Sequence, residues 1–171
     1  MAQHNDITLH MGFINTPYTR ETILRPVTSA RKESSRSRRR GFSRTMTAEM
    51  VANILEGKYG IVETFSTIHE DEIKNIMHEG FKEVAERVMA EREGHTTAKI
   101  KNLMKPSTKQ VEELFKSFLD HEEMNGMAEG VPTRAAMRGI RHGRGRKTKR
   151  GARPSFIDTG IYRASFRAWV K

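Results

Sequence analysis

Ser107-Thr108-Lys109-Gln110-Val111-Glu112-Glu113-Leu114-Phe115-Lys116-Ser117-Phe118-Leu119 is the stretch whose reading decides the fold class. Val111, Leu114, Phe115, Phe118 and Leu119 fall at i, i+3, i+4, i+7 and i+8. At 3.6 residues per turn those positions make one apolar stripe on a helix, with the charged residues opposite. Ser107 to Gln110 fits a capping box, in which hydroxyl and amide side chains satisfy the first free N–H groups. The helix is expected to end near Asn125-Gly126, and its stripe needs other helices to cover it.

Working outward, Ile73, Ile76, Met77, Phe81, Val84, Ala85, Val88 and Met89 form a second stripe. Thr67-Ile68-His69-Glu70 fits a capping box before it, and Glu70, Asp71 and Glu72 suit the positive end of the helix dipole. This predicts a helix from about Ile68 to Glu93, stopped by Gly94 and roughly 40 Å long at about 1.5 Å per residue. Gly80 lies inside the stripe, where glycine costs about 1 kcal/mol of helix propensity. Close approach of another helix, or simple tolerance, accounts for it. Thr47 is placed to cap a shorter helix with an apolar face of Met50, Val51, Ile54 and Leu55, its end bracketed by Gly57 and Gly60.

Between the helices, Ile61 to Phe65 is β-prone and reads as an extended connection. His95 to Pro106 reads as a loop or a weak helical continuation. Pro132 and Thr133 are set to open a short helix over Arg134 to Ile140, after which Gly139, Gly143, Gly145 and Gly151 make the chain flexible. In the closing segment Asp158 or Thr159 suits the cap of one helical turn. Phe166, Ala168 and Val170 then alternate with Arg167 and Trp169, the period of a short strand.

Residues 1–30 show no helical period. Ile7-Thr8-Leu9 suits a short strand, and Pro17 and Pro26 punctuate what reads as an extended arm. An arm with this many apolar residues is expected to lie on a neighbouring subunit. The fold class is therefore α+β and mostly helical, with three to four helices, the extended arm and a short C-terminal strand segment. The expected divisions are an arm at 1–45, a helical core at 46–133, a basic Gly/Arg-rich loop at 134–153 and a docking segment at 154–171.

Charge divides along the same lines. The 171-residue chain has a formal net charge of +10, yet residues 45–133 carry −7 while residues 31–44 and 134–153 carry +6 and +9. Such tracts seek an acidic protein surface, nucleic acid or an anionic membrane. Candidate contacts are Arg36, Arg38, Arg39, Arg40 and Arg44 in the first tract, and Arg144, Arg146, Lys147, Lys149 and Arg150 in the second. Arginine suits both carboxylates and phosphates. Neither tract is interleaved with aromatics as a single-strand stacking platform is, and neither lies on a convincing amphipathic helix, so membrane binding is not expected.

Catalytic and metal constellations are not evident. With no cysteine, disulfides and cysteine-based zinc sites are excluded. His69-Glu70-Asp71 and His121-Glu122-Glu123 read as solvated clusters, and His4 and His10 are too isolated for a zinc site. Gly139 to Gly151 lacks the order of a phosphate loop. Asp158-Thr159-Gly160 matches an aspartic-protease triplet, but that chemistry needs a second carboxylate and a β-rich fold. No enzyme activity and no cofactor are expected. No apolar run reaches the roughly 18–20 residues of a membrane span. The N-terminus also lacks the pattern of a secretory signal.

The block Arg153-Pro154-Ser155-Phe156-Ile157-Asp158-Thr159-Gly160-Ile161-Tyr162-Arg163-Ala164-Ser165-Phe166 resembles the Pro-x-x-apolar-Asp-Thr-Gly block of tailed-bacteriophage neck and tail-completion proteins. A helical part, a basic stretch and then this block are the usual order in that group. The resemblance implies a virion structural protein, assembled in the host cytoplasm as a homo-oligomeric ring at the head–tail junction. Its partners would be portal or adaptor and tail proteins, with genomic DNA in the channel. Asp158, Thr159 and Gly160 would form a turn, and Tyr162, Phe166 and Trp169 would anchor the segment on the helices or on a partner. Many members continue into several strands. Here little follows Phe166, so the sheet is expected to be completed by the N-terminal arm or by neighbours. The alternative class is a non-specific nucleic-acid-binding protein, ribosome-associated or packaging.

Overall fold

The computed structural model describes residues 7–16, 47–90, 97–139, 151–157 and 160–171. Its elements are β1 (Leu9–Phe13), α1 (Ala48–Tyr59), α2 (Ile61–Ile68), α3 (Glu70–Ala90), α4 (Thr97–Leu103), α5 (Lys105–Asp120), α6 (Arg134–Met137), α7 (Ile161–Ser165) and β2 (Phe166–Val170). The fold is α+β and mostly helical, with a two-stranded antiparallel sheet. Seven helices are described, more than the three to four expected, because α2 and α4 also form and the single helical turn expected in the closing segment is α7.

α5 is the centre of the fold. Val111, Phe115, Phe118 and Leu119 are buried, as the stripe requires. Its start differs from the capping box expected at Ser107. The helix opens at Lys105 with Pro106 in its first turn, and Ser107 and Thr108 are buried inside it. Proline fits there because the first N–H groups have no helical acceptor. Ser107 is buried because α3 crosses at Gly80. A Cβ built on Gly80 would stand 2.1 Å from Ser107 Oγ and 2.9 Å from Ser107 Cβ. Close approach, not tolerance, explains that glycine.

The second predicted capping box is also absent. Thr67 Oγ1 donates to the Glu63 carbonyl within α2 (2.9 Å) instead of capping α3. α2 itself replaces the extended connection expected at Ile61–Phe65. Ile61 and Phe65, four apart on one helical face, are both fully buried, and that burial overrides β-propensity. The Glu56 carboxylate accepts from the Val62 and Glu63 amides (2.8 and 3.0 Å), capping the new helix. Gly60, at φ +56°, makes the corner between α1 and α2.

α1 keeps half of its predicted face, since Val51 and Leu55 pack against the core. Thr47 caps it, accepting from the Met50 amide (3.3 Å). The residues it buries are Ala48 and Ala52, while Met50 and Ile54 are 49% and 59% exposed. α6 is capped by Thr133 in the same way, its hydroxyl accepting from Ala136 N–H (3.2 Å).

The sheet joins distant parts of the sequence. β1 pairs with β2 in the register Leu9↔Val170, His10↔Trp169, Met11↔Ala168, Gly12↔Arg167 and Phe13↔Phe166. The arm expected on a neighbour is therefore, over Leu9–Phe13, the partner strand of this chain's own C-terminal segment. One face of the sheet lies on α5. Phe166 stacks on Phe115 with ring centroids 3.9 Å apart, and Phe13 meets Phe115, Phe166 and Tyr162. Phe65 and Phe118 complete an aromatic cluster that is the middle of the core.

Candidate interaction surface

The closing segment folds as turn, helix and strand. Gly160 has φ +79°, a conformation that excludes most other residues, and turns the chain into α7. No side-chain cap bond is made there by Gly160. Asp158 and Thr159, the residues expected to cap this turn, lie outside the described residues. Ahead of the turn, Arg153 is buried and its guanidinium donates to the carbonyls of Pro154 (3.1 Å) and Ile157 (3.0 Å), while its amide donates to Ala136 O (3.1 Å). Ser155 Oγ accepts from Thr133 N–H (3.1 Å). The end of the expected flexible basic loop is thus tied to α6.

The three aromatics proposed as anchors separate. Tyr162 and Phe166 are buried in this chain's own core, Tyr162 stacked on Phe13 at 4.6 Å. Only Trp169 stands outside, 46% exposed on the outer sheet face. Its ring stacks on His10 (5.7 Å, 11° between planes) and lies over Gly12, whose missing Cβ would come 3.3 Å from Trp169 Cη2. Arg167 flanks it across the pair with Gly12. The alternation in Phe166–Val170 separates these faces and was legible; which face meets the core depends on the packing of α5 against the sheet, which no local pattern gives.

The basic residues Arg36, Arg38, Arg39, Arg40, Arg44, Arg144, Arg146, Lys147, Lys149 and Arg150 lie outside the described residues, as do Gly94 and most of the arm. Charged residues that are described pair locally. Arg163 binds Asp120 across α7 and α5, and Arg167 stands 3.8 Å from Glu112. His69 is not a solvated cluster. Its ring packs on Phe65 and Phe118, Nδ1 meets Glu72 (3.1 Å) and Nε2 meets Glu123 (3.0 Å). It pins the start of α3 to the turn after α5. Among the described residues no cluster of three or more His, Asp or Glu is arranged to hold a metal ion. Among them, too, no helix is long and apolar enough to cross a membrane.

Sequence spacing misses a groove along β2 that Trp169 also lines. It is about 390 Å³ in volume and runs between the α4–α5 junction and β2, lined by Lys101, Lys105, Lys109, Glu112, Ala168 and Val170 among others. Glu112, 16% exposed, accepts from Ala168 N–H (3.2 Å) at one end. The charge of this groove was hidden because its lysines belong to an acidic region of the sequence. No protein-family model, curated protein or solved structure matches the chain.

Proposed function

We propose that the chain is a structural subunit of a tailed-bacteriophage virion, a neck or tail-completion protein that assembles as a homo-oligomeric ring at the head–tail junction. The observation that carries this reading is the folded state of the resembling block. Arg153, Ser155, Ile161, Tyr162, Ser165 and Phe166 are all buried. The block is a structural joint on the helical body, which suits an assembly component. Apolar residues left outside the joint, Met50 and Ile54 on α1 and Trp169 on the sheet, supply surface for neighbouring subunits. The basic tracts would face acidic portal, adaptor or tail surfaces, or the DNA in the channel.

Size-exclusion chromatography with light scattering, at low and high salt, tests the proposal. A discrete multimer that persists at high salt supports it. A strict monomer at all concentrations, both alone and with isolated capsids, overturns it. A second reading, non-specific nucleic-acid binding, is favoured by one feature: the half-exposed Trp169 ring, stacked on His10, offers an aromatic face for a base. A duplex-DNA shift assay with a steep salt slope, from a chain that stays monomeric, would favour that reading instead.

A further inference from the structure

Among the described residues, the outer edge of β2 carries backbone groups with no strand beside them. Thr8 and Lys171 exchange backbone hydrogen bonds (3.3 and 3.0 Å), and Ile14 N–H donates to Ser165 O (2.9 Å). In an antiparallel pair bonded and non-bonded positions alternate, so Phe166, Ala168 and Val170 turn their N–H and C=O groups away from β1. The Ala168 amide confirms the parity by reaching Glu112 on the far side. This edge borders the groove, and Val170 is one of its walls.

The opposite wall is a row of cations. Lys101, Lys105 and Lys109 recur at i, i+4 and i+8 along α4 and α5, and all three are exposed. Lysines four residues apart on a helix repeat every ~6 Å along its axis. Side chains on one face of a strand repeat every ~6.6 Å. The two repeats match for Lys105 and Lys109 on α5, and Lys101 extends the row from the end of α4. Glu112 already mimics what an added strand would offer, an acceptor oxygen for the Ala168 amide.

We propose that the groove takes an extended segment of a partner protein with Asp or Glu at alternate positions. The segment adds to the open edge of β2 as a third strand and sets one carboxylate against each of Lys101, Lys105 and Lys109. Main-chain bonds to Val170 and to the Ala168 carbonyl supply affinity, with the segment taking over the Ala168 amide from Glu112, and the lysine row supplies specificity. This inference does not rest on the ring reading, because a groove of this kind would bind the segment in a monomer as well.

The test uses the full chain and a labelled peptide of about six residues alternating Glu and Val, the usual length of a strand. Binding is read by fluorescence anisotropy at about 0.15 M salt, which screens long-range attraction to the basic chain. The alternating peptide is expected to bind about tenfold more tightly than a peptide of the same composition with its Glu residues in one block, and the pair Lys105→Glu with Lys109→Glu to weaken it about tenfold. Methylating the peptide amides that face β2 is expected to abolish binding, whereas methylating the alternate amides leaves it intact. Equal binding of the two peptides, no loss in the lysine variant, or indifference to N-methylation overturns the proposal. So does a single-stranded oligonucleotide that binds more tightly and depends on the same lysines. Circular dichroism of the lysine variant shows that its fold is kept, since both side chains are exposed.

Discussion

α5 and α1 both carry an apolar pattern, but only α5 puts nearly all of it into the core. On α5 the most apolar residues are the buried ones, and Phe115 meets aromatic rings from β1, α2, α7 and β2. On α1 the helix buries Ala48 and Ala52, packs Val51 and Leu55 partly against the core, and leaves Met50 and Ile54 in solvent. Periodicity says that a helix has an apolar side. It does not say whether that side meets the chain's own core or something else, and here the smaller residues win the core because α1 must lie close to its neighbours.

The contrast can be broken by substitution. Phe115→Ala should cost about 3–5 kcal/mol in urea unfolding, since it empties the middle of the aromatic cluster. A cost under about 1 kcal/mol would mean that α5 is not the centre of the core. Gly80→Ala should cost about 1–3 kcal/mol despite its better helix propensity, because Ser107 cannot retreat from the α3–α5 crossing. The added change Ser107→Gly should recover part of that loss, and a double-mutant cycle measures the coupling. His69→Ala should cost about 1–2 kcal/mol by leaving Glu72 and Glu123 without their shared partner.

At the other extreme, Ile54→Glu should change the unfolding midpoint within about 0.5 kcal/mol, as at most exposed positions. It should nevertheless lower the molar mass seen by light scattering if α1 lies at a subunit contact. The smallest effects belong to the surface pairs. Lys74 beside Glu70, and Lys116 beside Glu113, hold those carboxyls below the usual carboxylate range. Whatever stability they give is present at neutral pH and is lost as pH falls through the lowered folded values. Glu70→Gln and Glu113→Gln should therefore differ from the parent, if at all, only above that range, as acid titration of the unfolding midpoint would show.

Helix content was legible wherever one stripe met one continuous partner, as in α5 and in the α3 residues Ile73, Met77 and Val84. Caps were less so. Thr47 and Thr133 act as the sequence pattern predicts, yet Thr67 and Ser107 do not, because α2 and Pro106 carry the helix past them. The strand propensity of Ile61 to Phe65 lost to burial of two side chains on one helical face. The surface was harder still. The alternation already set Trp169 apart from Phe166, but which of them faces the core required knowing that α5 covers that face of the sheet. The lysine row facing β2 has the period of an ordinary solvated helix, and only tertiary placement gives it an edge to face.

The pairing of β1 with β2 also orders events in time. Residues 9–13 are made early, but their partners at 166–170 appear some 150 residues later. Closing so large a loop costs entropy that grows with its length, so the helices can form and meet before the strands do. Until β2 arrives, Phe13, Phe65 and Phe115 lack the Phe166 ring that joins them, and the aromatic cluster stays open on one side. The segment that looks like a peripheral tail in the sequence is, for the folding chain, the closing step of the core.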